Sequence, residues 1–143
     1  MSAESNKALS RRLMEEAFNA GNLDVVDELV ATGFVNHDPA IPESTVGPEA
    51  AKANISGYRA AFPDLRIKVE DQIADGDRVV TRWSAKGTHQ GELLGIPPTG
   101  KQSTVTGITI DLIVDGRIAE SWTNWDTLGM LQQLGVVPAL ATA

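Results

Sequence analysis

The chain has 143 residues, 42% of them apolar, with a formal net charge of −7 and a pI near 4.7, which fits one compact domain able to enclose a core and a small pocket. It carries no cluster of Lys or Arg, which argues against a nucleic-acid surface or an anionic membrane as the main partner. It has no Cys, so disulfides, thiolate metal sites and a Cys nucleophile are excluded.

The opening MSAESNKALSRR has no apolar stretch, and no run approaches the roughly 20 apolar residues that span a bilayer, so a cytoplasmic location is expected. Leu9, Leu13 and Ala17, with Met14 and Phe18 beside them, recur at the spacing of one helix face and predict a helix from about Asn6 to Ala20. Ser10, Arg11, Arg12, Glu15 and Glu16 are assigned to its wet side. Gly21-Asn22 stops it, and Asn22 caps a predicted second helix, Leu23 to Val30, with Val26, Leu29 and Val30 as its apolar edge. Phe34 to Pro39 reads as a break. Gly47-Pro48-Glu49 reads as the start of a third helix running to about Phe62, because Pro suits the first turn and Glu the positive end of the dipole.

From Leu65 the period changes to two: Leu65, Ile67 and Val69 alternate with Arg66, Lys68 and Glu70, as in a strand with one wet face. Asp75-Gly76 is the predicted hairpin turn into a second strand, Val79 to Lys86. A third strand, Ser103 to Val114, meets a fourth, Arg117 to Asn124, at Asp115-Gly116. A last helix runs from Trp125-Asp126 to Gly135, and Val136 to Ala143 reads as a loosely held tail. Helices, then a meander of strands, then a closing helix is the order of an α+β domain with helices on one face of an antiparallel sheet, here a single domain over residues 1–143.

Five segments together carry a family resemblance: FNAGNLD (Phe18 to Asp24), FVNHDP (Phe34 to Pro39), AAFPDL (Ala60 to Leu65), GTHQGELLGIPPTGK (Gly87 to Lys101) and VDGRIAESWTNWDTLGMLQQLG (Val114 to Gly135). They resemble the SnoaL-like polyketide cyclase family, within the cone-shaped fold shared with nuclear transport factor, ketosteroid isomerase, scytalone dehydratase and limonene epoxide hydrolase. The resemblance implies a strongly curved antiparallel sheet forming a cone, closed by the N-terminal helices around an apolar pocket. It also implies a homodimer through the outer face of the sheet, with Ile108, Ile110 and Leu112 as an apolar row there. No cofactor and no metal is implied, and the partner is a small hydrophobic molecule. In the cyclases and epoxide hydrolases of this group the working Asp lies on the last strand, three residues before the Asp that opens the final helix; here that position is Thr123. A cyclase-type His position on the third strand is Thr109.

Alternation puts Asp111 on the same strand face as Val105, Gly107 and Thr109, the face that the resemblance turns toward the pocket. A carboxyl there is desolvated and its proton affinity raised; the alternative is a solvated group or a pair with Arg82 or Arg78. His37 is flanked by Asp38, which would hold its tautomer as a general base needs; the alternative is a loop histidine bonded to backbone. His89 is either a pocket residue or one that orders the turn after the second strand, and two distant His residues make no metal site. Asp126 reads as a helix cap. Alternation sends Arg82 and Trp83 to opposite faces, with Trp83 preferred inward, and does the same for Trp122 and Trp125. The Gly91 to Gly100 loop, with Pro97-Pro98, lacks phosphate-binding spacing and reads as a rim element.

The reading that follows is a cofactor-free acid–base enzyme on a small apolar carbonyl-bearing or polyphenolic substrate. Asp111 and His37 are its expected catalytic groups, and Thr109, Thr123, Trp125, Trp83, Tyr58, Phe62 and His89 its substrate-binding groups. The alternatives are an epoxide hydrolase-like enzyme and a non-catalytic domain that binds a small hydrophobic ligand.

Overall fold

The computed structural model describes residues 2–138. Helix α1 (Ala3–Arg12) starts earlier than the apolar periodicity suggests, because Ser2 and Ser5 form a reciprocal cap: the Ser2 hydroxyl accepts from the Ser5 N–H at 3.0 Å and the Ser5 hydroxyl accepts from the Ser2 N–H at 3.0 Å. From Leu13 to Asn19 the winding widens into a π-helix, which buries Met14 and Ala17. Ser10, assigned to the wet side, is 1% exposed and faces inward. The π-helical segment is tied to the sheet by Asn19, whose amide mimics a strand partner: it donates to Ile67 O at 2.8 Å and accepts from Ile67 N–H at 2.7 Å.

Helix α2 (Asp24–Leu29) ends one residue before the predicted boundary, and Val30 opens a strand. The expected break at Phe34 to Pro39 is a correction. It belongs mostly to β1 (Val30–Asp38), which pairs antiparallel with β2 (Ile41–Val46) and, on its other side, parallel with β6 (Arg117–Trp125). Helix α3 (Pro48–Ala61) follows Gly47, whose φ of 91° suits glycine, and Pro48 fills the first turn.

Strands β3 (Arg66–Asp75), β4 (Arg78–Thr88), β5 (Gln102–Val114) and β6 form the predicted meander, and α4 (Thr127–Gln133) closes the chain. The first turn sits one residue later than expected, on Gly76-Asp77, since Asp75 pairs with Arg78. The second is as predicted, with φ of 50° at Asp115 and 76° at Gly116. The curved sheet therefore has six strands in the order β2-β1-β6-β5-β4-β3, antiparallel except at β1–β6. Of the tail, Val136 N–H donates to Leu131 O at 3.0 Å, and residues 139–143 lie outside the described part. No described helix is long and apolar enough to cross a membrane.

Along β5 burial alternates strictly: Ser103, Val105, Gly107, Thr109, Asp111 and Ile113 point inward, while Ile108, Ile110 and Leu112 take the outer face. Two apolar clusters pack beneath the helices. One gathers Val26, Leu29, Phe34, Ile55 and Ile118; the other gathers Met14, Phe62, Trp83, Val105 and Met130. The cavity draws its walls from both.

Asn19→Ala removes both bonds to Ile67 and leaves two strand backbone groups short of a partner. A loss of about 1–3 kcal/mol in urea unfolding is expected, with the fold retained.

Candidate functional site

The cavity has a volume of about 150 Å³. Its walls are mainly apolar, including Phe18, Phe34, Ile55, Phe62, Trp83 and Met130, and its polar groups are few. The buried carboxyl among them is Asp111, 3% exposed. Ser10 Oγ on α1 donates to its Oδ2 at 2.7 Å, and Ser121 Oγ on β6 donates to its Oδ1. Burial pushes the Asp111 carboxyl above the ordinary aspartate range, and the Ser121 and Ser10 hydroxyls only partly oppose it. Neither Arg78 nor Arg82 pairs with it, because alternation on β4 turns both to the exposed outer face.

One rung away, Trp83 Nε1 donates to Thr109 Oγ1 at 3.0 Å, and Thr109 Oγ1 lies 3.0 Å from Thr123 Oγ1. Gly107 makes this possible, since a Cβ there would come within 2.3 Å of the Trp83 ring. A third polar group sits on β1, where Phe34, Asn36 and Asp38 alternate into the cavity. Asp38 Oδ2 accepts from Trp125 Nε1 at 3.2 Å and its Oδ1 from Ala40 N–H at 2.9 Å. Tyr58 and Phe62 of the α3 region complete the wall.

Two expected site residues lie elsewhere. His37 is on the outer face of β1, where its Nε2 meets Glu120 Oε2 at 2.6 Å and its ring stacks on Trp122 at 5.5 Å. Asp38 does not hold it, because adjacent strand residues point to opposite faces. Trp122 is therefore outside, under the Arg78 guanidinium at 5.5 Å, and Trp125 inside. His89 is fully buried yet does not line the cavity. Its Nδ1 accepts from Thr99 N–H at 3.2 Å and its ring packs on Phe62 at 5.5 Å, so it orders the loop to Lys101. That loop is pinned to the end of α3 by Gln90 and Gly91 N–H bonds to Ala61 O. Asp126 caps α4 by accepting from Gly129 N–H at 2.8 Å. Among the described residues no group of three or more His, Asp or Glu side chains is placed to hold a metal ion.

The family model for SnoaL-like polyketide cyclases matches residues 8–134. The chain belongs to the SnoaL-like polyketide cyclase family. It is 32% identical over 130 residues to the aklanonic acid methyl ester cyclase DnrD of Streptomyces peucetius, covering 87% of each chain. It is 34% identical over 125 residues to the nogalonic acid methyl ester cyclase of Streptomyces nogalater, covering 85% of this chain and 92% of that one. Among solved structures, TsrD from Streptomyces laurentii superposes with a TM-score of 0.86 at 30% identity, over 96% of this chain and 99% of the other. IdmH from Streptomyces antibioticus gives a TM-score of 0.79 at 36% identity, over 91% and 98%.

In this SnoaL-like chain the cavity groups missed from sequence include Ser10, Ser121, Asn36 and Asp38. Asp38 and Asn36 would follow from Phe34 by alternation once the segment is read as a strand. Ser121 is hidden by a bulge. Counting pairs outward from Val114–Arg117 through Ile113–Ile118 would set Glu120 opposite Asp111, but the register shifts by one and sets Ser121 there.

Because the folded chain holds the Asp111 proton more tightly than the unfolded chain, this group's contribution to stability falls as pH rises through its raised pKa. It is fully present only below about pH 4, where an unfolded aspartate is protonated. Urea unfolding of wild type and Asp111→Asn at stepped pH should show the variant gaining relative stability as pH rises above that value. A difference constant with pH would contradict the assignment.

Proposed function

We propose that the protein is a cofactor-free acid–base enzyme of the polyketide cyclase type, acting on a small apolar carbonyl-bearing or polyphenolic substrate held in the cavity. The supporting observation is the Asp111 carboxyl: walled off from water, facing an apolar cavity, and offered only two neutral hydroxyl donors. Such a group exchanges a proton nearer neutral pH than an ordinary aspartate.

The resemblance leads to a carboxyl on the last strand, where Thr123 stands, and a threonine hydroxyl is too weak an acid to shuttle protons near neutrality. Thr123 pairs with Thr109, and Asp111 pairs with Ser121, so Asp111 is the diagonal neighbour of Thr123 on the same face. Diagonal positions lie about 7–8 Å apart, which moves the carboxyl by one rung within one cavity. In an aldol ring closure, ionised Asp111 takes a proton from carbon beside a carbonyl. That carbon bonds to a second carbonyl carbon, and the alkoxide formed takes the proton back. One carboxyl supplies both transfers and no electrons are gained or lost.

A second reading, a domain that binds a hydrophobic ligand without turnover, draws support from the occupancy of both Asp111 oxygens by serine hydroxyls. Buried polar groups satisfied in this way are common structural features.

Aklanonic acid methyl ester and nogalonic acid methyl ester, named in the relatives' activities, are the first compounds to assay. Asp111→Asn should lower kcat by about 100-fold or more with ligand affinity within about twofold of wild type, as removal of a proton-transfer group does. His37→Ala should leave both unchanged. Saturable binding without turnover in wild type would favour the second reading, and full turnover in Asp111→Asn would remove Asp111 from the mechanism.

A further inference from the structure

Away from Asp111, the cavity wall holds one fully buried polar side-chain atom that has no hydrogen-bond partner among the described residues. The Tyr58 hydroxyl is buried and makes no hydrogen bond of acceptable geometry with a described residue; the Trp125 indole N–H lies close enough to influence it but is directed to Asp38. The two groups nearest in chemistry are already committed to each other: Trp125, whose ring meets Tyr58 edge-on at 6.2 Å and 82°, spends its Nε1–H on Asp38 Oδ2 at 3.2 Å, and Ala40 N–H takes the other Asp38 oxygen at 2.9 Å. A buried hydroxyl without a partner is costly to the free protein. In a cavity wall that cost is recovered when a bound molecule supplies the missing acceptor.

The surroundings restrict what that acceptor is. Burial, and after it the nearby Asp38 charge, hold the Tyr58 phenol well above its usual range, only partly opposed by the Trp125 indole N–H, so it remains an O–H donor throughout neutral pH. The same Asp38 charge repels an anionic ligand group at this spot. A neutral oxygen with free lone pairs, attached to an apolar body that suits the walls, satisfies both conditions.

We propose that Tyr58 is the carbonyl anchor of this cavity: its hydroxyl donates to a ketone or ester oxygen of the ligand, at a place fixed by the Asp38–Trp125 pair. This rests on the cavity being a ligand site, as the proposed function does, and is independent of any proton transfer by Asp111. Asp38 and Trp125 act as positioning residues.

The test uses the full chain and two probes that differ only at the carbonyl, 2-acetonaphthone and 2-ethylnaphthalene, titrated by tryptophan fluorescence or calorimetry. In Tyr58→Phe the ratio of ketone to hydrocarbon affinity should fall about fivefold, the worth of one hydrogen bond, with hydrocarbon affinity unchanged. Because the variant loses an unsatisfied group, its thermal unfolding midpoint without ligand should equal or exceed that of wild type. An unchanged affinity ratio would overturn the proposal, and so would a lowered midpoint, which would reveal a protein partner for the hydroxyl. If Asp111→Asn abolishes turnover while the Tyr58→Phe ratio is unchanged, the anchor fails and the acid–base reading stands. If the ratio falls in a wild type that turns nothing over, the anchor stands and the acid–base reading fails.

Discussion

The carboxyl group of Asp111 is cut off from water and met by just two hydroxyls, and keeping it there is the condition around which the neighbouring elements are arranged. Removing water from a carboxyl without supplying a cation favours its protonated form. The donors come from opposite sides of the cavity, Ser10 from the covering helix and Ser121 from the sheet, so the same contact joins lid to platform. On the same inner face Ala85, Gly107 and Thr109 are small or short, which leaves room for the inward-facing Trp83 to lie across Gly107 and reach the Thr109 hydroxyl. A larger residue at 107 would push the indole into the space the cavity occupies.

Sheet order supplies the remaining polar wall. By pairing in parallel with β6, β1 brings the Asn36 and Asp38 side chains onto the face shared by Thr123 and Trp125. The same alternation gathers His37, Trp122, Glu120 and Arg78 on the opposite face. The two faces therefore differ in chemistry: outside, charged groups stacked on an aromatic ring; inside, hydroxyls, one buried carboxyl and one partly exposed carboxyl in apolar surroundings. The inner set is suited to proton transfer and hydrogen bonding to neutral carbonyl compounds.

Much of this was legible in the sequence, for physical reasons that differ by element. The alternation of β5 is unbroken from Ser103 to Ile113, so Thr109 and Asp111 could be read as sharing one face and Ile108 as lying on the other, and the family resemblance told which face looks inward. The Asp115-Gly116 turn and the Asp126 cap were legible because each depends on local backbone chemistry. The first strand was not. Asn36-His37-Asp38-Pro39 has the composition of a turn, and its pairing with β6 spans more than 80 positions of sequence, as His37 with Trp122 shows. Ser10 was lost because a serine among Arg and Glu looks like part of a solvated helix face, and Ser121 because the β6 bulge moves every later side chain by one position. Nonlocal pairing and register were the missing information, and both bear directly on the site.

The central claim is that Asp111 keeps its proton at a pH where ordinary aspartates have lost theirs. Infrared difference titration of wild type against Asp111→Asn reads this directly, through the C=O stretch of a protonated carboxylic acid. A protonated-carboxyl band that persists above the ordinary aspartate range in wild type and is missing from Asp111→Asn is the result expected here. If wild type loses all such bands within that range, or if the variant keeps the persistent band, the assignment of Asp111 as the buried proton-holding group is wrong.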